Sequence, residues 1–105
     1  MGNSTLSLNT AQGGNGGFGG SGTVDGSGFG GALEVNSGTL SLISDTVSSN
    51  SARGSRLGRQ TVGLGGGLYI ASGATVDIDA FTLAHFVNNT ASTSNPNIYG
   101  TYVKI

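Results

Sequence analysis

A nine-residue word occurs twice in this chain, and that repetition constrains the fold more than any other feature. Gly30-Gly31-Ala32-Leu33-Glu34-Val35-Asn36-Ser37-Gly38 returns as Gly65-Gly66-Gly67-Leu68-Tyr69-Ile70-Ala71-Ser72-Gly73. Each copy runs into an alternating segment, Thr39-Leu40-Ser41-Leu42 and Thr75-Val76-Asp77-Ile78. Each then closes on an Asn-containing turn, Val47-Ser48-Ser49-Asn50-Ser51-Ala52 and Phe86-Val87-Asn88-Asn89-Thr90-Ala91. A partial copy opens the chain, where Asn3-Ser4-Thr5-Leu6-Ser7-Leu8 matches the run from Asn36 to Leu42. Repeats of this period belong to solenoids, propellers or arrays. A propeller blade asks for four strands and aromatic signatures that are missing here. Short strands joined by tight corners suffice for a solenoid.

The alternation predicts half-buried strands. Helix fits poorly, because Gly, Ser, Thr and Asn interrupt nearly every window; only Ala80 to Ala91 could pass for one, and there Phe81, Thr82, Phe86, Val87, Asn88 and Asn89 are indifferent formers. Disorder is disfavoured too: Leu, Ile, Val and Phe make up about a quarter of the chain, and the net charge is only −1. Two-residue spacing sends Leu33, Val35, Leu40 and Leu42 to one face, and Glu34, Ser41 and Asp77 to the other. Laying one coil on the next predicts Leu33 beneath Leu68, Val35 beneath Ile70, Leu40 beneath Val76 and Val47 beneath Phe86, with Ile78 completing this stacking core. Ser37-Gly38 and Ser72-Gly73 are corners that need positive φ. Asn50 and Asn89 mark the next corner, tolerate left-handed backbone, and are placed to ladder their amides. One domain over residues 1–105 follows, an all-β parallel β-helix of about four coils. Its repeat cores are 30–52 and 65–92, with a partial coil at 3–10 and a terminal coil at 95–105. The Gly-rich stretch from 13 to 31 and the stretch from 53 to 64, with Arg53, Arg56 and Arg59, read as loops between coils.

Composition narrows the chemistry. Four Lys or Arg against five Asp or Glu give no basic stripe for nucleic acid. There is no cysteine for a thiolate site and no apolar run of membrane-spanning length. The opening residues carry no visible signal peptide or myristoylation signal. Gly26-Ser27-Gly28-Phe29-Gly30-Gly31 satisfies G-x-G-x-x-G, but no helix is predicted after it. Asp25 alone does not make a calcium cage. Asp77 and Asp79 are expected on the outward face of one strand, the placement an acid–base pair would need. His85 lacks a nucleophile at readable spacing. Thr5, Thr39 and Thr75 form no repeated Thr-x-Thr ranks of the kind an ice-binding face presents. Asn3-Ser4-Thr5 and Asn88-Asn89-Thr90 match the glycosylation acceptor. The chain is therefore expected to be neither an enzyme nor dependent on a cofactor or metal; a polysaccharide lyase or hydrolase using Asp77 and Asp79 is the enzymatic alternative, and an ice-binding β-solenoid is a further one.

Gly30 to Leu33, Gly66 to Leu68 and Phe86-Val87-Asn88-Asn89 resemble the right-handed parallel β-helix repeats of bacterial surface proteins, in particular the polymorphic outer-membrane protein repeats with their Gly-Gly-Ala-Ile-like and Phe-x-x-Asn signatures. Val47 stands where the first repeat would carry Phe. Asn97-Ile98-Tyr99-Gly100 is similar to the last coil of long surface β-helices. The resemblance implies a right-handed coil, an extracellular or cell-surface location, and structural or adhesive roles, with surface glycans among the partners. Both ends are expected to be bare strand edges, Thr5, Leu6, Ser7 and Leu8 at one and Thr101, Tyr102, Val103, Lys104 and Ile105 at the other. Solenoids ordinarily cap such ends, and unpaired edges recruit other chains. The expected partner is a second copy, stacked head to tail into an open filament. A fragment of a long adhesin or autotransporter passenger is the alternative.

Overall fold

The computed structural model describes residues 1–13, 27–54 and 62–105. Asp25, Gly26, Arg56 and Arg59 lie outside the described residues. The fold is all-β apart from one short helix. A first layer holds β1 (Thr5–Ser7), β2 (Thr10–Gln12), β3 (Gly28–Phe29), β4 (Leu33–Val35) and β5 (Thr39–Leu42). The second holds β6 (Thr46–Ser48), β7 (Ser51–Arg53), β8 (Gly63–Leu64), β9 (Leu68–Ile70) and β10 (Thr75–Ile78). After helix α1 (Ala80–Ala84), the third holds β11 (Phe86–Val87), β12 (Thr90–Ala91), β13 (Ile98–Tyr99) and β14 (Val103–Lys104). Every pairing is parallel and joins one layer to the next, in the sheets β1-β6-β11, β2-β7-β12, β4-β9-β13, β5-β10-β14 and β3-β8.

Like residues stand over like. Leu33 pairs with Leu68 and Val35 with Ile70, Leu40 with Val76 and Leu42 with Ile78, and Val47 with Phe86. The sealed core is Leu42, Val47, Leu68, Ile70, Val76, Ile78 and Phe86. Leu33, Val35 and Leu40, expected in that core, are only half-buried, because none of the described residues lies beneath the first layer at their positions.

Backbone sterics explain two glycine columns. Gly30 and Gly65 adopt φ of 65° and 67°, and a Cβ there would strike the carbonyls of Leu33 and Leu68. At the Ser-Gly corners Gly38 and Gly73 take φ of 81° and 92° with open space around them, so only the dihedral demands glycine.

Several expectations are corrected. The segment Thr5 to Ser7 lies beneath Thr46 to Ser48, not beneath the look-alike Thr39 to Leu42. It thus belongs to the same layer as β4 and β5, and the expected four coils reduce to sheets at most three strands deep among the described residues. Leu8 leaves the strand with φ 60° and is 82% exposed. At the corners, Ser49 (φ 56°) and Asn88 (φ 57°) are left-handed, one residue before the expected Asn50 and Asn89. The terminal strand contracts to Val103–Lys104, leaving Thr101, Tyr102 and Ile105 outside it. Between β10 and β11 the chain forms α1 instead of continuing as strand. Asp79 caps that helix by accepting from the Thr82 N–H at 2.9 Å, and His85 ends it by donating its N–H to the Thr82 carbonyl at 2.9 Å. The helix absorbs residues that the tighter turn Ile43 to Asp45 does not have one layer below.

Candidate functional site

The sequence places the candidate functional surfaces at the two ends of the stack, and one buried file of side chains connects them. That file begins with three matching corners, Asn9-Thr10-Ala11, Asn50-Ser51-Ala52 and Asn89-Thr90-Ala91, brought into register by β2, β7 and β12. Asn50 Oδ1 accepts from the Asn9 N–H at 2.9 Å and from Asn9 Nδ2 at 3.0 Å. Asn89 Oδ1 accepts from the Asn50 N–H at 2.9 Å and from Asn50 Nδ2 at 3.0 Å. The second amide hydrogen turns back to the layer beneath, from Asn50 to the Leu6 carbonyl (3.0 Å) and from Asn89 to the Val47 carbonyl (2.9 Å). Asn50 is wholly buried and Asn89 nearly so. The interior amides are therefore satisfied by a polar chain with one direction, each layer donating to the next.

At the third layer the pattern stops. Asn89 Nδ2 donates to Asn97 Oδ1 at 2.9 Å, an amide from its own layer. Asn97 occupies the position that Gly67 holds one layer down, since both Gly67 and Leu68 donate to its carbonyl. A side chain at Gly67 would meet the Phe86 ring and the Asn97 backbone. In the last layer none of the described residues lies above, and the Asn97 amide folds over the end of the file.

A second polar corner runs alongside. Asp45, fully buried, accepts from the Ser4 N–H at 2.8 Å and the Ile43 N–H at 3.0 Å, and its own N–H donates to Thr82 Oγ1 at 3.0 Å. Together with Asn9 and Asn97, it was not singled out from the sequence. The thrice-repeated Asn-[Ser/Thr]-Ala word was a signal that identifies Asn9; no comparable signal marks Asn97.

The end surfaces differ from the middle. In the N-terminal layer Leu6, Leu33, Val35 and Leu40 remain half-exposed on the inner face, while Leu42 is sealed because Met1 to Asn3 run beneath Ser41 to Ile43. At the C-terminal end Leu83, Phe86, Ile98 and Tyr102 wall an open recess of about 380 Å³, rimmed by Asn95, Pro96 and Asn97. Tyr102, Val103 and Ile105 are exposed there, and Lys104 faces solvent beside them. On the side of the stack, Tyr69 and Tyr99 stack with ring centroids 5.0 Å apart and planes 5° from parallel, and Phe29 leans on Tyr69 at 4.8 Å. The tyrosines border a second recess, about 470 Å³, over the Ser72-Gly73 corner.

The other candidates separate. Asp77 lies over Ser41 on β10, but Asp79 is beyond the strand end. The Thr82 hydroxyl and amide, joined by the Ser44 N–H at 3.0 Å, hold the Asp79 carboxyl below its usual value. The two aspartates do not share a strand face, because Asp79 is committed to capping α1. His85 packs its ring on Phe81 at 4.0 Å, with Nδ1 2.7 Å from the Phe81 carbonyl. Arg53 reaches Ser51 Oγ at 3.0 Å. Thr39 stacks on Thr75, whereas Thr5 stacks on Thr46 in a different sheet. Gly28 and Phe29 form a strand followed by another strand, which is not a dinucleotide-binding turn. Among the described residues no three His, Cys, Asp or Glu side chains converge as metal ligands, and no helix is long and apolar enough to cross a membrane. Comparisons with protein-family models, curated proteins and solved structures find no match.

Proposed function

We propose that this chain is a right-handed parallel β-helix that serves as an extracellular structural or adhesive element and assembles end to end with copies of itself. One contrast carries the reading. Leu68, Val47 and Val76 in the middle layer are 0% exposed, while their column-mates Leu33, Leu6 and Leu40 in the first layer stay half-open to solvent. A second copy stacked below would remove that apolar surface from water, at roughly 25 cal/mol per Å², and would pair the free strand edges. The two faces are different surfaces, so repeated head-to-tail contact extends into a filament instead of closing into a dimer. Negative-stain electron microscopy of the purified chain is the test. Unbranched fibres whose formation rises with concentration are expected; monodisperse 10.3 kDa particles at every concentration would overturn the reading.

Surface glycans are a second partner class, favoured by the recess that Tyr69 and Tyr99 line together with Ser72 and Thr101. A glycan array probed with the chain and with its Tyr99→Ala variant tests it: binding lost in the variant supports the site, and no binding by either overturns it.

A further inference from the structure

Resting on the end-to-end reading, we propose that the seam between copies is the asparagine file itself, and that Asn97 is a removable stopper on it. The file leaves complementary groups at its two ends. At the N-terminal face the Asn9 side chain gives its amide to Asn50, and its Oδ1 accepts nothing among the described residues. At the C-terminal face the Asn89 N–H has no partner among the described residues, and its Nδ2 is held only by the Val47 carbonyl and the Asn97 cap. An acceptor at one end and donors at the other are the two halves of the step made twice inside the chain.

The internal register shows how a junction joins them. Leu6 and Val47 share a column, and each carbonyl accepts from the asparagine of the next layer; Phe86 follows Val47 in that column. In a head-to-tail junction Asn9 of the upper copy lies over Asn89 of the lower. Its Oδ1 accepts the Asn89 N–H and Nδ2, and its Nδ2 donates to the Phe86 carbonyl. Leu6 then seats over Phe86, in the apolar recess that Asn97 rims. The Asn97 amide occupies that place in the free chain and must swing out. One hydrogen bond is released and three are formed. The arrangement with N-terminal face to N-terminal face lacks both the Asn89 N–H for the Asn9 Oδ1 and the Phe86 carbonyl for the Asn9 Nδ2.

The backbone carbonyl of Asn97, which receives Gly67 and Leu68, survives truncation of its side chain. Asn97→Ala is therefore expected to assemble at a roughly tenfold lower concentration than the unaltered chain, read by light scattering and microscopy. Asn9→Ala keeps a competent C-terminal face and a dead N-terminal one, so it can occupy only the first position of a filament. Mixed at one part in ten with Asn97→Ala, it is expected to shorten the fibres several-fold. Far-ultraviolet circular dichroism of each variant separates loss of fold from loss of seam; should Asn9→Ala not fold, Leu6→Ser, which alters a side chain half-exposed in the free chain and seated over Phe86 in the junction, is expected to shorten the fibres in its place. Fibres whose onset and length ignore all these changes overturn the seam while leaving end-to-end assembly in place. Absence of fibres from every variant overturns both.

Discussion

The first and last layers are made from the same repeated words, yet they end the stack in different ways. The N-terminal layer keeps full-length strands and leaves its inner leucines and the Asn9 acceptor unanswered. The C-terminal layer abbreviates its strands to two residues each, inserts α1 before them, and folds Asn97 over the last amide. A stack can finish by running out of partners or by supplying one from its own chain. The difference teaches that polarity, more than apolar contact, distinguishes the two faces: both expose hydrophobic side chains, but one offers the Asn9 acceptor and the other the Asn89 N–H beside the Asn97 cap.

The largest expected effect tests the contrast between middle and edge. Leu68→Ala removes a sealed side chain and should cost about 2–5 kcal/mol, whereas Leu33→Ala, half-open in the same column, should cost roughly half as much. Urea unfolding of dilute protein checks this, and equal losses would break the distinction. Next comes the polar file. Asn50→Ala strands the donors of Asn9 and the Leu6 carbonyl and should cost about 1–3 kcal/mol, while Asn9→Ala at the open end should cost less than about 1 kcal/mol. Thermal melts of the two variants settle the order. Gly73→Ala forces a left-handed alanine into open space, and a drop of about 1 kcal/mol is expected with no change in fold. The smallest effect concerns Asp79. Its carboxyl is depressed in the folded chain, so the stabilisation is fully present above the ordinary carboxylate value and is lost as pH falls through the depressed one. Melting curves of the native chain and Asp79→Ala should converge on acidification; a gap that persists unchanged would show that the charge does not matter to the cap.

Much of this was legible in the residues. The pairing of Leu33 with Leu68 and Leu40 with Val76 follows from period-two alternation anchored by repeated glycines, a local signal that needs no knowledge of the rest. The N-terminal register was not legible, because Thr5-Leu6-Ser7-Leu8 copies the spelling of Thr39-Leu40-Ser41-Leu42 and yet pairs with Thr46 to Ser48. What sets the register is polar: Ser4 donates to Asp45 and Asn9 to Asn50, across forty-odd residues. Helix α1 falls in the one window, Ala80 to Ala91, that could pass for a helix, but its extent and cap were not legible, for a related reason. Five residues are too few for periodicity to show, and the turn is held by the Asp79 cap and by Thr82 accepting from Asp45. The Asn97 cap was invisible because the inward amide is allowed only where no further layer exists, a fact about the stack and not about its neighbours in sequence.

The tyrosine pair gives the protein a built-in reporter. The chain has three tyrosines and no tryptophan, and two of those tyrosines, Tyr69 on β9 and Tyr99 on β13, stack with nearly parallel planes at 5.0 Å. Chromophores that close couple their electronic transitions, so near-ultraviolet dichroism follows the docking of the third layer on the second. Fraying of that layer would register as an optical change before the remaining strands let go.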